Sequence, residues 1–104
     1  MKTFFGGIFI EKEKLEEAGI FHPIKLEYYK YTNNTNFEDK DKLKYGISII
    51  KTEYKEERIV EEKSIKYLTN DEKKAIDILQ LFKNNEVTPI GAEDVIQDYA
   101  KSIL

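Results

Sequence analysis

Cysteine and tryptophan are absent from this 104-residue chain, and it has a single histidine, His22. Without cysteine, the chain can form no disulfide framework, no thiolate nucleophile and no cysteine-ligated zinc site. A single histidine excludes polyhistidine metal sites and disfavours a nucleophile–base triad. We therefore expect no metal site, no cofactor and no catalytic residue.

Long apolar runs are absent as well. No segment approaches the ~20 consecutive apolar residues of a membrane span, so we expect no membrane contact. The first ten residues, MKTFFGGIFI, are interrupted by Gly6 and Gly7 and followed by four charged residues. This favours a buried strand over a signal peptide, which needs an unbroken apolar stretch and a small-residue cleavage site. We expect one cytoplasmic domain, 1–104, in which 1–21 adds an N-terminal strand and a short helix.

Positive charge is nowhere concentrated. The chain has 17 basic and 20 acidic residues, for a net charge of −3, and the segment 86–98 carries four acids and no base. A protein that holds a phosphate backbone clusters Lys and Arg on one surface, so nucleic-acid binding is disfavoured. The preference for Lys over Arg and for Ile over Val is typical of an AT-rich genome, which indicates a low-GC bacterium or its phage.

Hydrophobic periodicity predicts strands first and helices afterwards. Alternating apolar residues and turn residues predict strands at 3–10, 24–31, 45–54 and 58–68. A Gly-Gly irregularity is expected in the first strand, and a polar surface loop is expected at 32–44. A short helix at 11–18 would end at Gly19, which suits a left-handed cap.

Two longer helices follow the strands. A wide apolar stripe predicts the first, with Thr69 and Glu72 as its capping box. Thr88 and Pro89 predict the start of the second, with Thr88 as its cap. Because strands precede helices without β-α-β alternation, we predict an α+β fold: a small antiparallel sheet of three to four strands, covered on one face by two C-terminal helices.

Four acidic residues form the first candidate site. Asp94 and Asp98 are four apart and therefore neighbours on one side of a helix, with Glu93 beside them and Glu86 before the helix. We interpret them first as a solvated face that partly complements the helix dipole. The alternative is docking of a partner protein with a basic surface. A divalent cation is least supported, because one helix cannot supply six oxygen ligands.

Tyrosines on the predicted strands form the second candidate site. We interpret them first as packing residues with a polar end. A protein interface is the alternative, and Tyr54 is the residue that we assign to it. Stacking of nucleic-acid bases is the third reading, but the aromatic and basic residues that flank such sites are missing.

Catalysis is the least supported class of function. His22 precedes Pro23 in a turn, with no acid–base partner legible beside it, so we interpret it as structural. The sequence contains no GxSxG, Walker, GxGxxG or HExxH motif. We expect a protein that is not an enzyme, and a small enzyme using Glu, Lys and Tyr chemistry is kept as an alternative.

Three segments resemble a known protein family. YGI at 45–47, NEVTPI at 85–90 and DVIQDY at 94–99 are similar to an uncharacterised family of small proteins from low-GC, spore-forming bacteria. The resemblance covers about residues 25–100 and departs at Gly91, where a bulkier residue such as His is expected. It implies the same order of strands and helices, and it implies no activity, ligand or catalytic residue.

The function that we predict is a non-catalytic protein-binding module that regulates or inhibits a macromolecular partner. A narrower version is a phage-type, anti-CRISPR-like inhibitor of a host defence nuclease, with acidic residues in a basic groove of the nuclease. The alternative is a structural or scaffolding homo-oligomer. In a homodimer, Tyr and Ile of an uncovered sheet face would pair across the symmetry axis.

Overall fold

The computed structural model describes residues 1–34 and 43–102, without the side chain of Ser102. Residues 35–42 of the predicted loop 32–44 therefore lie outside the described part of the chain. Within the described residues, four antiparallel strands form one sheet in the order β1–β2–β3–β4. They span Lys2–Ile10 (β1), Ile24–Thr32 (β2), Tyr45–Tyr54 (β3) and Arg58–Thr69 (β4).

A short helix separates the first two strands, and two longer helices follow the last one. They span Lys12–Leu15 (α1), Glu72–Asn84 (α2) and Ala92–Ser102 (α3). Single 3-10 turns at Glu16–Ala18 and Pro89–Gly91 extend α1 and precede α3. The predicted α+β fold is confirmed. The described residues form four strands, within the predicted range of three to four.

The core lies between one face of the sheet and the two C-terminal helices. Alternate residues of β2 are buried there, as its period-two pattern predicted, because successive strand side chains point to opposite faces. From the sheet, the buried residues are Ile10, Ile24, Leu26, Tyr28, Ile47 and Ile49. From the helices and the segment between them they are Ala75, Ile78, Leu79, Phe82, Val87 and Ala92.

β1 carries the irregularity that its two glycines predicted. Its register with β2 shifts between Phe4 and Gly6, which marks a bulge. One extra residue in a strand reverses the side to which the following side chains point. As a result Phe4 and Phe9 lie on the same side of the sheet, opposite Tyr29 and Lys25 respectively.

The end of the short helix also agrees with the sequence pattern. Gly19 has a φ of 78°, in the left-handed region, and its N–H donates a 2.9 Å hydrogen bond to the carbonyl of Glu16. Glycine adopts this conformation without the Cβ clash that other residues meet.

The predicted capping box of α2 is wrong. Asp71 caps the helix, because its carboxylate accepts a 3.0 Å hydrogen bond from the Lys73 N–H. The Thr69 hydroxyl instead accepts from the Asp71 N–H at 3.0 Å, and Glu72 pairs with Lys30 of β2 at 3.3 Å. The reason is that β4 continues to Thr69, which places the helix start two residues later than the motif suggested.

The entry to α3 follows its prediction in part. Pro89 stands at the first position of the 3-10 turn before the helix, as expected from its fixed φ. Thr88 is extended, but its side chain makes no capping hydrogen bond. The sheet anchors the segment between α2 and α3, because the buried Tyr28 hydroxyl of β2 donates a hydrogen bond to the carbonyl of Val87.

Gly46 occupies a position that has no room for a side chain. A Cβ there would overlap the backbone carbonyls of Ile65 and Lys66 on the neighbouring strand. The approach is this close because the β3–β4 register is irregular between Tyr45 and Ile47.

Among the described helices, none has the length and apolar character that crossing a membrane would require.

Candidate functional site

The sheet has one face packed against α2 and α3 and a second face that none of the described helices covers. Core residues of both helices contact the first face, so the alternate side chains of each strand point away from them. We call this second side the open face. Its residues are Lys2, Phe4, Phe9, Lys25, Glu27, Tyr29, Tyr31, Ser48, Ile50, Thr52, Tyr54, Arg58, Val60, Glu62, Ser64 and Lys66.

Three large apolar side chains of the open face are more than half exposed. Phe4 is 57% exposed, Phe9 58% and Val60 59%. The Phe4 ring meets Tyr29 edge-on at a centroid distance of 5.5 Å, and Phe9 meets Tyr54 at 6.0 Å. Two aromatic pairs therefore stand on this surface, and much of their apolar area faces solvent.

Cationic groups lie over the tyrosine rings of the same face. The Lys2 ammonium is 4.6 Å from the centre of the Tyr29 ring, and the Arg58 guanidinium is 5.0 Å from that of Tyr54. Lys66 lies 5.8 Å from the ring of Tyr31. Contacts of this length are attractive, because the ring face is electron-rich.

Glu62 is the centre of a polar network on the open face. Its carboxylate accepts from the Ser48 and Ser64 hydroxyls at 3.2 Å each and from Lys2 at 3.5 Å, and the two hydroxyls are 3.0 Å apart. Burial acts to raise the pKa of Glu62, but Lys2 and the two hydroxyls outweigh it and leave the pKa below its ordinary value. A carboxylate of lowered pKa is a weak general base, so this network favours structure over catalysis.

The second carboxylate of the open face is also engaged. Glu27 accepts a 2.8 Å hydrogen bond from the Tyr29 hydroxyl, and Lys25 lies 3.9 Å from it. The bond to Glu27 is the main reason that the pKa of Tyr29 is raised, with burial a smaller cause. By contrast, neither Arg58 nor Lys66 forms an ion pair with a carboxylate of the described residues, so within that part of the chain these two positive charges of the open face are unpaired.

The five residues predicted to bind a partner do not share one surface. Tyr54 belongs to the open face, whereas Glu93, Asp94 and Asp98 are exposed on α3, which packs against the opposite face. Glu86 is exposed in the turn after α2, where it has a positive φ of 51°.

Glu93 differs from the other acids of α3 because its charge is paired with a base. Its carboxylate lies 2.8 Å from the Lys63 ammonium of β4, and the hydrogen bond from Lys63 holds the pKa of Glu93 below its ordinary value. Asp94 and Asp98 are the predicted α3 acids without an ion pair to any described base. The acidic surface predicted from 86–98 therefore narrows to this pair and Glu86.

A shallow groove of about 440 Å³ runs along the outer edge of β4 beside the Lys63–Glu93 pair. Glu61 lies at one wall and Pro89 and Ile90 at the other, with Ile90 83% exposed. The ammonium of Lys63 and the carboxylate of Glu93 lie 2.8 Å apart, so these two charges of the groove are paired with each other.

His22 has a partner that its sequence neighbours did not reveal. Its Nε2 lies 3.0 Å from the Glu53 carboxylate, and both side chains are less than one-fifth exposed. The contact arises because the Tyr54 N–H donates to the carbonyl of Pro23, which ties the turn to the end of β3. The hydrogen bond from His22 is the largest cause of a lowered Glu53 pKa.

Sequence reasoning did not assign Phe4 and Phe9 to a site. One signal was present: Phe9 alternates with Ile8 and Ile10, so a strand with buried isoleucines must present Phe9 on its other side. The same alternation would place Phe4 on the buried side of β1. The bulge between Phe4 and Gly6 reverses this, so Phe4 lies on the same side as Phe9.

The family comparison covers nearly all of the chain. The model of a family of unknown function (DUF6514) matches residues 7–102. The match begins well before residue 25, so the last four residues of β1 and all of α1 lie inside the family region, in contrast to the expectation from the sequence. No curated protein and no solved structure matches the chain.

Proposed function

Since the chain belongs to the DUF6514 family, whose function is unknown, we propose from its own residues that it is a non-catalytic protein-binding module. Its docking surface is the open face. The observation that carries this proposal is the combination of exposed Phe4, Phe9 and Val60 with tyrosines and Arg58 on one face of the sheet. Interface cores are enriched in aromatic residues and Arg, and clustered exposed apolar side chains mark interaction sites.

The acidic helix offers a second docking surface of the same functional class. Asp94 and Asp98 would contact a partner with a basic surface, and the anti-CRISPR-like inhibitor of a nuclease is its narrow form. The exposure of both residues supports it, but two carboxylates are a smaller footprint than the open face. The composition supports an origin in a low-GC bacterium or its phage, and we propose a cytoplasmic location.

A homo-oligomer is the competing proposal for the open face. Light scattering at rising protein concentration separates the two. A constant monomer mass is expected for a module that binds another protein, whereas a dimer that dissociates on changing Phe9→Ser with Val60→Ser would assign the open face to self-association.

A pull-down with three matched variants identifies the docking surface. The open-face variant combines Phe9→Ser and Val60→Ser, and the acidic-helix variant combines Asp94→Lys and Asp98→Lys. Ile76→Ser is the control, because it also removes an exposed aliphatic side chain but lies on α2, which packs against the opposite face of the sheet. The bait is incubated with lysate of the source cells, and recovered proteins are quantified.

We expect the open-face variant to lose about tenfold or more of a specifically recovered protein, while Ile76→Ser and the acidic-helix variant retain it. If only the acidic-helix variant loses the recovered protein, the docking surface is α3 and not the open face. Equal recovery by all four baits would reject both surfaces.

A further inference from the structure

The proposed function does not specify the chemical character of the partner. The distribution of charge on the open face indicates what that character is. Resting on that function, we infer that the partner presents an acidic protein segment to the open face, with carboxylates that meet its cations and apolar side chains that meet Phe4, Phe9 and Val60.

The open face carries more positive than negative charge, although the whole chain has a net charge of −3. Its cations are Lys2, Lys25, Arg58 and Lys66, against two carboxylates, Glu27 and Glu62. Both carboxylates already have partners within the face: Lys2 and two serines for Glu62, and Tyr29 with Lys25 for Glu27. What the face offers to an incoming surface is therefore cationic, because Arg58 and Lys66 have no described carboxylate partner.

The cations stand at the two ends of the face and the acids in its middle. By backbone position, Lys2 and Lys66 lie at the end that holds Tyr31, and Lys25 and Arg58 lie at the other end. The Lys2 and Lys25 side chains reach inward to the carboxylates of Glu62 and Glu27, so the charges left at the two ends are those of Lys66 and Arg58. Glu27 and Glu62 share the row of Ile50 between them. Tyr31 and Lys25 are six residues apart on β2, so the two cationic ends are separated by ~20 Å. A complementary partner carries acidic groups at a similar spacing.

A second copy of the chain does not meet this requirement. Two aligned sheets related by a two-fold axis through the centre of the open face place the middle row of one copy on the middle row of the other. Carboxylates would then face carboxylates. Whether the two copies run parallel or antiparallel, the cationic ends of one copy would lie against the cationic ends of the other. Like charges brought together at an interface oppose association.

Single-stranded nucleic acid is also acidic, but the aromatic rings favour it less. Bases stack on exposed ring faces. The Phe4 and Phe9 rings are exposed, but the rings of Tyr29, Tyr31 and Tyr54 are each approached by a cation of the chain itself. A base would have to displace that cation. Partner carboxylates can approach the cations without moving them, so an acidic protein segment is favoured.

Peptide selection tests this inference directly. The immobilised full chain selects from displayed random peptides of about 12 residues, which cross the ~20 Å face when extended. Enriched peptides are synthesised, and their affinities are measured for the wild type and for Arg58→Glu with Lys66→Glu. The matched control is Lys73→Glu with Lys74→Glu, which changes the net charge equally on the exposed side of α2. A fluorescent oligothymidylate is the nucleic-acid probe.

We expect the enriched peptides to be rich in Asp and Glu beside apolar residues. Their affinity should fall by about tenfold or more with the Arg58 and Lys66 reversal, should fall less with the α2 control, and should weaken with salt.

Several outcomes would overturn the inference, and they are distinguishable from failure of the proposed function. Peptides that lose affinity with Phe9→Ser and Val60→Ser but not with the charge reversal would reject the acidic partner and keep the open face as docking surface. Peptides insensitive to both changes, or no enriched peptide, would reject the open face itself. Tighter binding of oligothymidylate than of any peptide would replace the protein partner with nucleic acid.

Discussion

The Tyr28 hydroxyl donates a 2.9 Å hydrogen bond to the backbone carbonyl of Val87, and this bond joins the centre of the sheet to the segment between α2 and α3. Tyr28 is fully buried and Val87 nearly so. Burial, with a smaller contribution from Glu86, raises the pKa of Tyr28 above its ordinary value. The hydroxyl therefore stays protonated and remains a donor at all physiological pH values.

Tyr28→Phe should destabilise the fold by about 1–3 kcal/mol, because it leaves the Val87 carbonyl buried without a partner. Urea unfolding followed by circular dichroism measures the change. Tyr31→Phe is the matched control, since Tyr31 is half-buried on the open face and its contact with Lys66 involves the ring. It should change stability by less than about 0.5 kcal/mol. Equal effects of both changes would show that the Tyr28–Val87 bond contributes little.

Gly46→Ala should destabilise the chain by about 3 kcal/mol, because the new Cβ would push against two backbone carbonyls that cannot rotate away. Gly91→Ala is the control. A Cβ there meets nothing closer than 3.9 Å, and the loss of chain entropy in the unfolded state should stabilise by about 0.5 kcal/mol. Thermal unfolding compares the two variants, and a wild-type melting temperature for Gly46→Ala would contradict the close approach of β3 and β4.

The His22–Glu53 pair should make stability dependent on acidic pH. The pKa of Glu53 is lower in the folded chain than its ordinary value of 4.5, so the unfolded chain binds this proton more readily. The stabilisation is present above the ordinary pKa and is lost as pH falls through the lower folded pKa.

Glu53→Gln should therefore flatten the fall of stability as the pH drops below about 5. Urea midpoints at several pH values measure this slope. Glu56→Gln, in the exposed turn between β3 and β4, is the control and should leave the slope unchanged. A wild-type slope in Glu53→Gln would mean that the pair does not control acid stability.

Asp98→Lys should stabilise α3 slightly. It removes a like-charge pair with Asp94 and puts a base four residues after an acid, which is worth about 0.5 kcal/mol in a helix. Asp77→Lys on α2 is the opposite control, because Lys73 stands four residues before it and a like-charge pair would form. Melting temperatures at low salt should move in opposite directions, and both shifts should shrink at high salt. A destabilised Asp98→Lys would indicate a structural role for this carboxylate.

Several features of the fold could be predicted from the sequence because they depend on local patterns. The alternation of Ile24, Leu26 and Tyr28 predicted their burial, and the two adjacent glycines predicted a disturbed first strand. The left-handed conformation of Gly19 was likewise predictable from its position after a helical segment. The capping box of α2 failed for a related reason: a four-residue motif does not show where the preceding strand ends.

The candidate site could be predicted only in part. Tyr54 was assigned to an interface, but Phe4 and Phe9 of the open face were not. Simple alternation would put these two phenylalanines on opposite sides of β1, and only the bulge between Phe4 and Gly6 brings them to the same side. The acidic segment looked continuous in sequence, and Lys63 of a distant strand neutralises one of its members.

The sequence by itself determined the order of strands and helices, the face that β2 buries and the absence of thiol and polyhistidine chemistry. All of these follow from residue type and from periods of two or 3.6 residues. Only the tertiary structure decided that Phe9 meets Tyr54, that His22 meets Glu53 and that cations lie over tyrosine rings. Such contacts join residues more than thirty positions apart or on different strands, and they depend on strand order, register and bulges, which no local pattern specifies.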